Sequence, residues 1–402
     1  MEVIKSQSKP VLEMENVLGM KGGDGESSYA KSSSAQLNML QAVKPILERA
    51  IYENMILMSD VGGIFRIADF GCGTGKNTLV VANTIANAVK RSFEEHEMPE
   101  FEVYFIDLPS NDFNSLFRML PPHRPDYADV DNDGDNNPLA GRSYIAAGVC
   151  GSHFRRLLPR KSLHFCHSST SLHWLSQVPE SVQQRSSPRV YVSGDCEASV
   201  GAAYLQQFDK DFTAFLKARA EEIVDGGYMF VSLPGRNEGT HIMEEQGPCG
   251  FVARQIECAF EELVNEVDTM LSHFLLGIVE KEKWETFKIP FFGPNSDEVE
   301  RIVKKEGSFV VKLVKTLEGI HAYCMTDFER GEANIFGRLI ANNYRAALEN
   351  IVEAHLGCKR STEELFLRIG KRASILVDEY ISRETKHVVA FLTKKGAHNK
   401  TY

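Results

Sequence analysis

Long apolar runs, excess positive charge and closely spaced cysteines are all missing from this chain. No stretch of its 402 residues approaches the roughly 20 apolar residues of a membrane span, so no membrane partner is expected. Glu2, Lys5, Ser6, Ser8 and Lys9 interrupt the apolar residues behind Met1, which predicts no secretory leader. The 45 Lys and Arg face 55 Asp and Glu, a net charge of −10. That sign argues against nucleic acid or an anionic membrane as the main partner. The eight cysteines are scattered without CxxC spacing, which argues against a metal cage or a disulfide framework. A reduced, cytoplasmic protein is the expectation. The sequon Asn399-Lys400-Thr401 is then expected to stay unmodified.

What is present fits a globular α/β protein. Hydrophobic residues make up 43% and charged residues 25% of the chain. The length exceeds what one core supports, so one large α/β domain with an added subdomain is predicted. The most informative stretch is Ile67-Ala68-Asp69-Phe70-Gly71-Cys72-Gly73-Thr74-Gly75. An apolar run, an acid and three alternate glycines before a helical pattern read as buried strand, tight turn and helix. Glycine there lets backbone approach a ligand where a Cβ would clash. A phosphate-binding P-loop fails at Phe70 and Asn77, and the dinucleotide motif fails at Lys76. What remains, acid-x-Gly-x-Gly-x-Gly, resembles the first motif of S-adenosylmethionine-dependent methyltransferases. The plainer alternative is a turn that merely needs small residues.

Further strands are predicted at Phe65–Phe70, Val103–Ile106, Ser162–Cys166, Tyr228–Ser232, Phe309–Thr316 and His387–Thr393. Helices are predicted over Leu37–Met55 and Asn77–His96, with long helical segments over Gly239–Lys283 and Thr326–Arg383. Met1 to about Val11 reads as disordered, and Pro121–Pro138 as a proline- and acid-rich loop. This divides the chain into a flexible terminus, 1–18, and an α/β core, 19–238, 284–325 and 384–396. A helical cap, 239–283 and 326–383, would lie over the carboxyl ends of the strands, where open α/β sheets bind ligands. Asp69 and the Gly71–Gly75 turn should line the methionine part of the cofactor. A carboxylate at Asp107, closing the second strand, would accept the ribose hydroxyls, with Leu108 beside the adenine. The alternative for Asp107 is a turn cap before Pro109.

Longer motifs sharpen this. Gly19-Met20-Lys21-Gly22-Gly23-Asp24-Gly25-Glu26-Ser27-Ser28-Tyr29 resembles the N-terminal signature of the plant SABATH methyltransferases. So do Asp107-Leu108-Pro109-Ser110-Asn111-Asp112-Phe113-Asn114 and Leu163-His164-Phe165-Cys166-His167-Ser168-Ser169. Ser171-Leu172-His173-Trp174-Leu175-Ser176-Gln177-Val178-Pro179 and Gly307-Ser308-Phe309 continue the pattern, which covers about residues 18–395. The resemblance implies a Rossmann-like class I methyltransferase sheet with a helical cap. It implies S-adenosyl-L-methionine as cofactor, S-adenosyl-L-homocysteine as product, a small carboxylic acid as acceptor and a homodimer. It further implies cofactor contacts at Tyr29, Ser33, Asp69, Gly71, Cys72, Gly73, Asn77, Asp107, Leu108, Ser152 and His153. Gln36 and Trp174 would hold the acceptor carboxylate, with His173 in the wall and Tyr29 and Thr170 also against the acceptor. These residues position the substrate; no general base is needed, because a small acid is already ionised at neutral pH.

Three departures carry expectations. His153 stands where the family usually has Phe, and an imidazole can still stack on adenine. Thr170 stands where benzoate- and salicylate-type members often carry Tyr, which would widen the pocket toward a cinnamate- or coumarate-like acid. Lys288 stands where some members have a metal-associated Asn, so no metal is predicted. The expected activity is therefore methyl ester formation in plant specialised metabolism. Jasmonate, salicylate, benzoate or indole-3-acetate are alternative acceptors. Nitrogen methylation of a xanthine-like substrate and a non-catalytic acid binder are the more distant ones. Asp129–Gly134 begins like a calcium loop, but Ala140 fills its twelfth position. Arg155, Arg156, Arg160 and Lys161, and the pairs Glu261-Glu262 and Glu363-Glu364, read as charged surface. Phe251 and Phe260 are candidate pocket walls.

Overall fold

A computed structural model describes residues 14–54, 63–93, 98–123, 141–192, 196–239, 242, 247–265, 279–323 and 332–396. Most of the N-terminal segment, the calcium-loop-like stretch, much of 240–278 and the sequon lie outside the described residues. Seven strands form one sheet: β1 (Ile64–Phe70), β2 (Glu100–Asp107), β3 (Ile145–Cys150), β4 (Leu163–Ser169), β5 (Ile223–Gly235), β6 (Phe309–Ile320) and β7 (Thr385–Lys394). Their order is β3-β2-β1-β4-β5-β7-β6. The first five are parallel, while β7 runs antiparallel to both β5 and β6. The chain order therefore reverses between β1 and β4, and ligands bind outside the carboxyl ends of strands at such a switch point.

The sheet is covered on both faces, as parallel strands require. Phe65 and Ile67 of β1 face a core built from the helices Ser34–Asn54 and Lys76–Lys90. Ala68 and Phe70 face the other core, with the helices Ala198–Glu222 and Ser296–Glu306. The period-two alternation along β1 thus divides its apolar residues between two layers. The second core continues into a group of helices beyond the sheet. Lys359–Ile375 packs on both Ala333–Leu356 and Gly247–Asn265.

Several expectations are corrected. The helix after the glycine turn stops at Lys90, well before His96. The segment expected as one helix over Thr326–Arg383 is three: Ala333–Leu356, Lys359–Ile375 and Val377–Ser382. Gly357, at φ 64°, ends the first in the left-handed conformation that suits a helix terminus. Strand β3 and the helix Ala198–Glu222 carry no clear periodic signal. β3 is a partly exposed edge strand, and that helix buries Gln207, Asp211, Arg219 and Glu222 among its apolar residues.

Candidate active site

The glycine turn lies where β1 leaves the sheet. Gly71 and Gly73 adopt φ of 79° and 62°, a region that disfavours side chains. Gly71 N and Cys72 N donate to Ile106 O at 2.8 and 3.1 Å. A Cβ on Gly71 would stand 2.0 Å from Ser171 Oγ, and one on Gly73 would stand 2.8 Å from the Tyr29 ring. Asp107 receives the Gly73 N–H at one oxygen and its neighbour Leu108 N–H at the other, both at 2.7 Å. Each oxygen keeps a lone pair for a further donor. Burial pushes the Asp107 carboxyl up to about 6, against the pull of the two N–H groups.

The motifs quoted from distant parts of the sequence meet around this turn. Gly23 N donates to Asp112 Oδ2 at 2.9 Å, and a Cβ on Gly19 would reach within 2.4 Å of Ser110 Oγ. The N-terminal signature is tied on its other side to the helix Ala333–Leu356. Lys21 N donates to Ala346 O at 2.9 Å, and Asn350 Nδ2 donates to Gly19 O at 2.6 Å. Together they enclose a cavity lined by Tyr29, Gly71, Gly73, Asp107 and Leu108. Ser152, His153, Thr170, Ser171 and Trp174 complete its wall. His153 is held neutral at about 3 by burial and by the nearby Arg219 charge.

Four expected cofactor residues do not line that cavity. Asp69 gives one oxygen to Thr78 Oγ1 at 2.5 Å and the other to His167 Nδ1 at 2.7 Å. Asn77 Nδ2 reaches Ser33 O and Oγ at 3.2 and 3.1 Å. The Cys72 thiol is buried, which raises it well above the usual range. Asp69, Asn77 and Ser33 brace the turn and the first turn of the following helix.

A second cavity, of about 150 Å³, lies beside the first. Gln36, His173 and Trp174 line it, as do Phe251, Phe291, Asn343, Tyr323, Tyr344, Tyr380 and Arg383. Trp174 lines both cavities. The structure brings Gln36, His173 and Trp174 together, but it does not bring Thr170 or Tyr29 to this wall. Strand β4 ends at Ser169, and Thr170 turns with φ 48° into the wall of the first cavity, its N–H on Ser232 O. The expectation that Thr170 widens the acceptor pocket therefore loses its basis. Phe251 lines the second cavity, whereas Phe260 is fully buried against Phe287. Asn343, Tyr323, Tyr344 and Tyr380 were not singled out from sequence. Helical spacing makes Asn343, Tyr344 and Tyr380 look like ordinary helix residues, Tyr323 lies in a loop after β6, and no motif marks any of them.

The Lys288 ammonium donates to Ser187 O, Glu285 O and Phe287 O at 3.1, 2.6 and 3.1 Å. Burial lowers it to about 8. Among the described residues, no cluster of three or more His, Cys, Asp and Glu is placed to hold a metal. Arg155, Arg156, Arg160 and Lys161 pair at the surface with Glu15, Glu221 and Asp225. Glu262 is not simply exposed: it ties its helix to Arg372 at 2.8 Å.

The sheet order, the glycine turn after β1 and the carboxylate closing β2 define a class I, S-adenosylmethionine-dependent methyltransferase. Residues 15–395 match the family model described as SAM dependent carboxyl methyltransferase. The chain belongs to that family, the SABATH methyltransferases. It is 35% identical to the probable jasmonic acid carboxyl methyltransferase 1 of Theobroma cacao, over 96% of this chain and 100% of that one. It is 36% identical to indole-3-acetate O-methyltransferase 1 of Arabidopsis thaliana, over 95% and 96%. A solved structure of loganic acid methyltransferase with SAH superposes with a TM-score of 0.77 at 30% identity. That match covers 94% of this chain and 99% of the other. The chain is thus an enzyme that uses S-adenosylmethionine to methylate a carboxyl group.

Proposed function

We propose that this enzyme forms the methyl ester of a small acid with a flat or elongated apolar body, a cinnamate, jasmonate, salicylate or indole-3-acetate type. The observation that carries this reading is the position of Trp174 between the two cavities. An acid held by its indole N–H lies next to whatever fills the cavity of Asp107. S-adenosylmethionine supplies an electrophilic methyl group. The proposed roles follow from the donors and acceptors present. Asp107 accepts the ribose hydroxyls, and Leu108 and His153 flank the adenine. Gln36 and Trp174 offer neutral N–H donors to the acceptor carboxylate. Neutral donors orient the anion without a salt bridge that would weaken it as a nucleophile. Alignment and exclusion of water then do the work.

Six aromatic side chains wall the acceptor cavity: Trp174, Phe251, Phe291, Tyr323, Tyr344 and Tyr380. They favour an acid with an apolar face. Nitrogen methylation of a heterocycle is disfavoured by His173, because burial lowers that imidazole to about 3 and makes it a poor base. The test is turnover with labelled S-adenosylmethionine and a panel of salicylate, cinnamates, jasmonate, indole-3-acetate and xanthines. Ester formation is expected, and methylation of xanthine alone would overturn the reading. Trp174→Phe keeps an aromatic wall and removes the donor. It should lower kcat/KM roughly 10- to 100-fold, the effect of losing a hydrogen bond to a charged group. Cofactor affinity by calorimetry should hold.

A further inference from the structure

One polar chain crosses the aromatic wall of the acceptor cavity. The Tyr323 hydroxyl donates to Asn343 Oδ1 at 3.1 Å. Asn343 Nδ2 donates to Gln36 Oε1 at 3.1 Å and to Ser32 O at 2.8 Å. All three side chains line the cavity. The Ser32 carbonyl can only accept, so it fixes Asn343 Nδ2 on the side where Gln36 lies, and the Tyr323 hydroxyl then donates to the remaining Oδ1. The Nδ2 end carries the N–H groups, and they occupy the Gln36 oxygen. The Gln36 amide nitrogen is then left as its free group. A glutamine whose oxygen is taken can only donate to a ligand, which suits a carboxylate and opposes an N–H donor.

We propose that Asn343, oriented by the Ser32 carbonyl and held by Tyr323, is a positioning residue that turns the Gln36 amide nitrogen toward the acceptor carboxylate. This rests on the reading that Gln36 holds that carboxylate. Asn343 does not touch the reacting atoms; it selects the polarity of the group that does. The pairing joins the helix Ser34–Asn54 of the sheet layer to the helix Ala333–Leu356 beyond it. The specificity for an anion is therefore set jointly by two elements far apart in sequence.

The probe is whichever of salicylate, jasmonate or indole-3-acetate the wild type turns over fastest, at saturating S-adenosylmethionine. Gln36→Leu tests the underlying reading, and Asn343→Asp tests the inference. Asn343→Asp is nearly isosteric. Ionised, its carboxylate draws the Gln36 amide nitrogen inward; protonated, it again donates to the Gln36 oxygen. Its KM should exceed the wild-type value roughly 10- to 100-fold near pH 8. The ratio to wild type should shrink as the pH falls toward 5.5, with kcat and cofactor affinity little changed. Asp107, at about 6, lines the other cavity and is common to variant and wild type, so it cancels in the ratio. Burial raises Tyr323 and Tyr344, holds Tyr380 at about 12, and lowers His173 and His387 to about 3 and about 4. A ratio that stays flat with pH overturns the inference. If Gln36→Leu leaves KM unchanged, the underlying reading falls instead. Tyr323→Phe removes only the hydroxyl, and an unchanged KM there removes Tyr323 from the device.

Discussion

At the residue scale, Asp107 is the group whose ionisation matters most. Burial pushes its carboxyl up to about 6, well above the usual carboxylate range. A raised carboxyl stabilises the fold fully below about pH 4, and that contribution is lost as the pH rises through 6. The ligand-free enzyme therefore carries an anion it would rather neutralise, and two ribose hydroxyls would compensate it. Two outcomes follow. Affinity for S-adenosylmethionine should fall by roughly tenfold per pH unit below 6, as expected when binding requires the ionised form. Asp107→Asn should flatten that profile, weaken binding at pH 7.5 and raise the melting temperature of the free protein. Calorimetry across pH 5 to 8 checks the first two, and thermal unfolding checks the last. A pH-independent affinity would remove Asp107 from the site.

At the scale of elements, the loop that carries Ser152 and His153 is held by one buried ion pair. Arg219 and Glu222, both fully buried, meet at 2.7 Å on the helix Ala198–Glu222. The guanidinium lies 3.8 Å from the Phe70 ring centroid and donates to His153 O and Arg155 O, each at 2.8 Å. Glu222 accepts Leu157 N and Leu158 N. Arg219→Met strands the Glu222 charge and should cost about 3–5 kcal/mol, read by chemical denaturation. Adding Glu222→Gln should recover part of it. A second prediction concerns the crossing of the helices Ala333–Leu356 and Lys359–Ile375. A Cβ on Gly337 would stand 2.4 Å from Gly370 O. Gly337→Ala should part the helices at a cost of about 1–3 kcal/mol. Because Asn343 and Tyr344 ride on the first of them, KM for the acid should rise while cofactor affinity stays. Equal loss of both would mean general unfolding.

The same elements show what could be read beforehand. β1, the glycine turn and β2 were legible because a fully buried strand must be an apolar run and a tight turn must be glycine. That Gln36, His173 and Trp174 line one cavity is legible only through motif resemblance. Asn343 and Tyr323 were not legible, since their roles exist only once two helices and a strand end are brought together. Asp69 is legible as part of the turn, but its own hydrogen-bond partners are not. Its acid looks ligand-ready in sequence, yet Thr78 and His167 already take its oxygens. The place of Thr170 is hidden for a related reason: a one-residue change of backbone direction decides which cavity a side chain meets, and Thr170 lines the first.

At the scale of the whole molecule, a net charge of −10 faces an acceptor that is itself an anion. Long-range repulsion should oppose its approach, and salt screens it within a Debye length of about 10 Å at 0.1 M. Raising ionic strength from 20 to 200 mM should therefore increase kcat/KM for the acid by roughly two- to threefold. A decrease would point instead to local attraction by Arg383, which lines the cavity.

Trp174 has one more consequence. A single indole forms part of the wall for both ligands, so any shift of that ring on filling one cavity reaches the other. Occupancy of one site then enters the affinity of the other, and the effect must be equal in both directions. The acid should bind more tightly to the enzyme already holding its methyl donor, and the donor more tightly to the enzyme holding the acid. After transfer the methyl belongs to the ester, and a neutral ester faces a neutral thioether where an anion faced a sulfonium, so this cooperativity should weaken once transfer is done. Turnover would be helped by the loss of the linkage that assembled the complex.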